Sequence, residues 1–220
     1  MSRASFQAMA SEQVSHPIFA RFFDRFVGRD KDRGEVGLRR ELVAGLAGRV
    51  AEVGAGNGIN FEHFPASVGE LVAVEPESRL RRSAGEAARR APVPTRVVEG
   101  VAAELPLGDA SLDAVVVAGV LCSVPDQAAA LGEFRRVLRP GGELRFYEHV
   151  RSRRAGFARF QDRADLVWPR LMGGCHPNRD TAAAIAAAGF RLERYRGFGF
   201  PAHARLYPVL PRILGVARNG

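Results

Sequence analysis

Cysteine is scarce in this chain. Its 220 residues hold two, Cys122 and Cys175, too few for a disulfide framework. No leader-like stretch opens the sequence, and no apolar run approaches the ~20 residues that span a bilayer. A reducing, cytoplasmic setting without an integral membrane segment is the expectation. Cysteine and histidine are nowhere grouped at metal-ligand spacing, and H-E-x-x-H does not occur, which speaks against a metal site. Lysine is nearly absent as well: Lys31 stands alone among 32 basic residues, in a chain of formal net charge +8. Outside Arg151-Ser152-Arg153-Arg154 the arginines are scattered among acids, so the concentrated basic face of a nucleic-acid binder is not expected. There is no internal repeat and no low-complexity linker, so residues 1–220 are read as a single domain. Apolar content of 46% and charged content of 25% suit a globular protein with a substantial core.

What is present is a glycine-rich bend. Glu52-Val53-Gly54-Ala55-Gly56-Asn57-Gly58 follows a short apolar run, with glycine at every second position. Glycine there permits positive φ and lets a ligand approach bare main chain. A dinucleotide fingerprint would place its third glycine at position 59, which is Ile59. Glu52, two residues before the first glycine, would repel a pyrophosphate. It suits a ligand that carries an ammonium and a sulfonium. A loop that only joins a strand to a helix is the plainer alternative. A second strand, residues 69–74, ends in Glu75-Pro76. In doubly wound folds an acid about 20 residues beyond the glycines accepts the ribose hydroxyls.

Along the chain, Phe19, Phe22, Phe23 and Phe26 form an i, i+3, i+4, i+7 stripe. It fits a helix packed on the body of the protein, or a helical lid within residues 1–48. Residues 35–47 read as a helix closed by Gly48. Residues 77–90 read as a helix stopped by Pro92 and Pro94. Strands follow at 95–99, 112–118 and 143–148, with a helix at 126–138. Such alternation implies an α/β protein with a parallel sheet and helices on both faces, and ligands beyond the strands' carboxyl ends. Residues 157–172, with Phe157, Phe160, Leu166, Trp168 and Leu171, form an aromatic insertion that could wall an apolar pocket. Two last strands are expected at 190–196 and 211–218. Between them Gly197-Phe198-Gly199-Phe200-Pro201 reads as a loop whose aromatics face that pocket.

Four ordered motifs now stand together: the glycine bend; Glu75-Pro76; Leu105-Pro106-Leu107 with Ser111-Leu112-Asp113; and Leu138-Arg139-Pro140-Gly141-Gly142. As a set over residues 45–150 they resemble the class I S-adenosylmethionine-dependent methyltransferases, in particular their methyltransferase type 11 domain. Val120-Leu121-Cys122-Ser123-Val124, Tyr147-Glu148-His149-Val150, and Gly174-Cys175 followed by Arg179 are further similar to the methyltransferase-like thiol S-methyltransferases of animals. The apolar N-terminal membrane segment of those enzymes has no counterpart here, so a membrane-associated location does not carry over. The resemblance implies a Rossmann-like, doubly wound, seven-stranded sheet, mostly parallel, with an antiparallel C-terminal hairpin. It divides the chain into a lid (1–48), a cofactor-binding core (49–150) and a substrate-pocket insertion with the last strands (151–220).

It also implies roles by position. Glu52 and the amides of Gly54, Ala55, Gly56 and Gly58 would hold the methionine end of S-adenosyl-L-methionine. Glu75 would take the ribose hydroxyls, and Pro76 would shape the turn toward adenine. Val101 and Ala102 stand where relatives touch the adenine edge. Many relatives have an acid there, so the base would rely here on main-chain amides and apolar packing, or on Glu104. Gly119, Val120 and Cys122 would line the wall near the sulfonium.

Methyl transfer is an in-line displacement for which the cofactor supplies the activated carbon, and a base is needed only for a protonated nucleophile. His149 and Glu148, at the end of the fifth strand, are the candidate catalytic residues. A backbone-bonded His149, and a Glu148 that orients it or caps a helix, are the alternatives. Cys175 and His176 could border the pocket or merely form a turn. The expected acceptor is a small molecule, with a thiol first. The alternatives are oxygen or nitrogen of a lipid, quinone or natural product, and a cofactor-binding regulator without turnover.

Overall fold

A computed structural model describes residues 33–201 and 207–220. The aromatic stripe at Phe19, Phe22, Phe23 and Phe26 lies outside them. The β-branched runs form strands, the inner ones largely buried on both faces and the edge strand at Thr95–Val98 half-buried. They are β1 (Gly48–Val53), β2 (Val68–Val74), β3 (Thr95–Val98), β4 (Leu112–Ala118) and β5 (Leu138–His149). All pair in parallel, and β6 (Phe190–Gly199) and β7 (Pro211–Asn219) join antiparallel at one edge. The strand order is β3-β2-β1-β4-β5-β7-β6. The chain runs outward from β1 to β3, then crosses back to β4. Its direction therefore reverses between the carboxyl ends of β1 and β4, where open α/β sheets bind ligands.

Side chains alternate across the sheet as strand geometry requires. Ala51, Val53, Val115 and Val117 face one core with Leu131, Phe134 and Ile185. Val50, Ala114 and Val116 face the other with Leu38, Leu42 and Ala84. Helices α1 (Arg33–Val43) and α2 (Ser78–Ala88) carry the second layer. Helices α3 (Gln127–Val137) and α6 (Thr181–Ala187) carry the first. Between β5 and α6 lie α4 (Ala155–Ala164) and the single turn α5 (Trp168–Leu171). No helix among the described residues is long and apolar enough to cross a membrane.

Three boundaries differ from the sequence reading by more than two residues. Helix α1 ends at Val43 rather than 47, because Gly45 already turns the chain at φ 73°. Strand β5 begins at Leu138, which pairs with Leu112 before a register shift at the Pro-Gly-Gly turn. Strand β6 runs through the expected loop to Gly199, because β7 keeps pairing with it as far as Phe198↔Arg212 and Gly199↔Pro211. Phe198 accordingly stacks on Tyr147, with centroids 6.3 Å apart and planes 4° off parallel.

Candidate functional site

The glycine bend caps the carboxyl end of β1. The amides of Gly54 and Ala55 donate to the carbonyl of Val74 at 2.8 and 3.2 Å, which ties the bend to β2. Gly54, Gly56 and Gly58 all have positive φ. A Cβ on Gly54 would lie 2.5 Å from Val120, so this bend and the segment after β4 touch. A Cβ on Gly58 would meet the Phe61 ring at 2.7 Å and Ala87 at 2.8 Å. Gly119 is different: its φ is 71°, but a Cβ there would meet nothing within 4 Å, so its backbone is bare at the switch point. Strain plus overpacking should make Gly58→Ala cost about 3 kcal/mol. Gly119→Ala, with strain alone, should cost about 1 kcal/mol. Urea midpoints for the two variants check the contrast.

Glu52 is buried, and one carboxylate oxygen accepts from Asn60 Nδ2. Asn60 Oδ1 in turn accepts from Arg39 Nη1 at 2.8 Å. The other oxygen of Glu52 is buried without a hydrogen-bond partner among the described residues. Burial, only partly offset by Asn60 and Arg39, pushes this carboxyl up to about 7. Arg39 and Asn60 carry no motif that marks them in the sequence. Glu75, at the end of β2, accepts from the amides of Gly56 (2.8 Å) and Glu77 (3.0 Å). Its pKa is also raised, chiefly by burial. It retains acceptor capacity, since a carboxylate offers about four lone-pair sites. The carbonyl of Pro76 accepts from Arg81 Nη1 at 2.8 Å. Past β3, Val101 is buried and bridges to Glu104, while Ala102 packs on the core.

Glu148, one of the two catalytic candidates, sits under the turn after β4. It is fully buried, and its carboxylate accepts from the amides of Val120 (2.9 Å), Leu121 (3.0 Å) and Cys122 (3.1 Å). Three amides around one carboxylate hold the turn after β4 in place. Cys122, expected on the cofactor wall, follows Val120 in this turn and is fully buried. Its sulfur lies 3.5 Å from Cys175 Sγ and 3.5 Å from His149 Nδ1. Cys175 Sγ is also 3.5 Å from His149 Nδ1. A hydrogen bond with Cys175, then burial, raise the Cys122 thiol well above its usual range.

No Cys/His cluster was expected, yet the fold assembles one from three distant positions. Gln161, buried on α4, holds it together by donating to the carbonyls of Val150 (3.0 Å), Pro177 (2.7 Å) and Pro208 (2.9 Å). The amide of His176 donates to the carbonyl of Cys122 at 2.8 Å, which seats Cys175 beside Cys122. The His176 ring pairs with Asp165 (2.9 Å), so this histidine serves the turn. Around the cluster pack Trp168, Met172, Tyr207 and Val209. Of the expected aromatic wall only Trp168 is here. Phe157 and Phe160 pair edge-to-face with each other, and Leu166 and Leu171 face solvent.

Residues 51–146 match the model of a methyltransferase domain. The chain is 34% identical to human thiol S-methyltransferase TMT1B over 185 residues, 80% of this chain and 73% of that protein. It is also 34% identical to human thiol S-methyltransferase TMT1A over 181 residues, 79% of this chain and 72% of that protein. Among solved structures it is similar to geranyl diphosphate C-methyltransferase from Streptomyces coelicolor, solved with S-adenosyl-L-homocysteine. That match has a TM-score of 0.65 at 12% identity and covers 86% of this chain and 78% of that one.

Proposed function

Because this chain belongs to the class I S-adenosylmethionine-dependent methyltransferases, we propose that its acceptor is a small-molecule thiol. The described residues fit the cofactor on their own chemistry. Glu52 has a buried carboxylate oxygen without a hydrogen-bond partner among the described residues, which suits a cation. Gly119 leaves main chain bare at the switch point, and Glu75 keeps lone pairs for a diol. In this reading Glu52 and the amides of residues 54–58 hold the amino-acid end, Glu75 holds the ribose, and Val101 and Ala102 flank the base. Gly119 and Val120 form the wall by the sulfonium. The bound cofactor supplies a methyl carbon already activated for displacement. The chain's own residues align the acceptor and keep water out.

The observation that carries the thiol is the corner beyond β4 and β5. There His149 faces two sulfurs, walled by Trp168, Met172 and Tyr207. This corner adjoins Val120, which touches Gly54. It is polarizable, and the carboxylates near it are engaged: Glu148 is bound by three amides and Asp165 pairs with His176. An alcohol would need a strong base. A thiol, with pKa near 8.5, needs little help to ionise. The identity to thiol S-methyltransferases supports the same acceptor. The reading places the protein in the reducing cytoplasm, where Cys122 and Cys175 keep their thiols. It leaves nucleic acid aside, since arginines such as Arg136, Arg151 and Arg196 are paired with acids. Labelled cofactor offered with thiol, phenol and amine panels tests it. Transfer to aliphatic thiols at rates at least ~10-fold above the other panels is the expected result. Phenols or amines accepted as fast as thiols would reject it.

A further inference from the structure

The three side chains that meet at the end of β5 have the donor set and spacing of a metal site. Two sulfurs and an imidazole nitrogen form a triangle whose edges are each 3.5 Å, and the three donor atoms all lie within 4.8 Å of one another. A tetrahedral zinc ion, with Zn–S bonds of about 2.3 Å and a Zn–N bond of about 2.0–2.1 Å, sets sulfur–sulfur edges near 3.8 Å and sulfur–nitrogen edges near 3.5 Å. The triangle matches two of these edges and needs an opening of only about 0.3 Å along the third. Two thiolates and an imidazole also form the soft donor set that selects zinc over magnesium or calcium.

We propose that Cys122, His149 and Cys175 bind one Zn²⁺, and that its open fourth position takes the sulfur of the methyl acceptor. Three protein ligands with one vacant position are the pattern of a catalytic zinc. The site is held rigidly. The Cys122 amide donates to Glu148, the Cys122 carbonyl accepts from His176, and Gln161 clasps the segments on either side. His149 is the half-buried member, so the acceptor enters on its side, past Trp168 and Tyr207.

The second half of this proposal rests on the thiol reading above, and its chemistry balances. The acceptor's S–H proton leaves to solvent as its sulfur joins the metal. Two cysteine thiolates neutralise the dication, so the third thiolate gives the centre one net negative charge. That charge keeps the acceptor sulfur electron-rich. Its lone pair forms the new carbon–sulfur bond while the methyl–sulfonium bond breaks, and that pair returns to the departing sulfur. The products are a neutral thioether and S-adenosylhomocysteine. A thioether is a poor zinc ligand and leaves.

The test uses the full chain, reduced and stripped with chelator, then supplied with Zn²⁺ or Co²⁺ under argon. One equivalent of zinc per chain is expected. The cobalt form should show sulfur-to-metal charge transfer and the intense visible bands of a tetrahedral site. Adding a small thiol should shift those bands, and adding a phenol should not. Cys175→Ser should keep cofactor affinity by calorimetry, which shows that it folds. It should hold zinc more weakly by more than the ~10–100-fold that loss of an outer partner costs. Reduced, cofactor-binding protein that takes up neither metal would overturn the site, and so would equal uptake by wild type and Cys175→Ser. Metal-free protein that methylates thiols as fast as loaded protein would overturn the role of zinc and leave the thiol reading standing. Metal uptake with no thiol turnover would leave the site standing and overturn both the thiol reading and the acceptor role that rests on it.

Discussion

Glu148→Gln is expected to destabilise the protein by roughly 3 kcal/mol and to lower methyl transfer with it. The wild-type carboxylate accepts from three consecutive amides, those of Val120, Leu121 and Cys122. Glutamine preserves the shape but turns one oxygen into an NH₂ group. Its remaining oxygen can serve the Val120 and Leu121 amides. The NH₂ then meets the Cys122 amide, donor against donor, in a fully buried place. Two neutral hydrogen bonds and one clash replace three charge-assisted bonds, each worth about 1.5–3 kcal/mol. Against a total stability of about 5–15 kcal/mol this is a large fraction. A base at position 148 would give the opposite signature: a fall in kcat with the urea midpoint unchanged. The expected result is a lowered midpoint, because these amides set the position of Cys122 and of the Val120 wall.

Much of this architecture is legible in the chain. Val115, Val116 and Val117 are apolar on both sides because parallel strands are buried on both faces, and strand β4 has the bounds read from its residues. Asp126 and Asp180 announce the starts of α3 and α6, and both cap those helices with their carboxylates. The glycine bend and Glu75 are local signals, and Glu75 reaches the bend directly through the Gly56 amide.

What was hidden depends on tertiary pairing. Cys122, His149 and Cys175 lie 27 and 26 residues apart. No spacing rule reaches across β5 and α4; the parallel register of β4 and β5, the Gln161 clasp and the bond from the His176 amide to the Cys122 carbonyl bring them together. Glu148 looked like an acid beside a histidine. Its neighbours are amides on a different strand's loop, which the sequence cannot place. The continuation of β6 through Gly197 and Phe198 is likewise imposed by its partner β7, against local turn chemistry that favours a loop.

Glu52→Gln carries the other large effect, and its sign follows from protonation. Burial raises the Glu52 carboxyl from 4.5 to about 7 in the folded chain. Between those values the folded state holds a proton that the unfolded state has released. The stability contribution is therefore full below pH ~4.5 and is lost as pH rises through about 7, amounting to roughly 3 kcal/mol. Cofactor-free Glu52→Gln should lack this loss, so its urea midpoint should fall less between pH 5 and 7.5. Cofactor binding should run the other way. A cationic ligand at the unpartnered oxygen favours the carboxylate, so wild-type affinity should rise with pH through about 7, with proton release on binding. The release is measurable as heat that depends on the buffer's ionisation. Glu52→Gln should bind S-adenosylmethionine ~10–100-fold more weakly at pH 7.5, the loss expected for a charge-assisted contact of about 1.5–3 kcal/mol. It should also lose the pH dependence. Equal affinity for the two proteins across this range would remove Glu52 from the cofactor site, since a carboxylate touching the ammonium cannot be neutralised without cost.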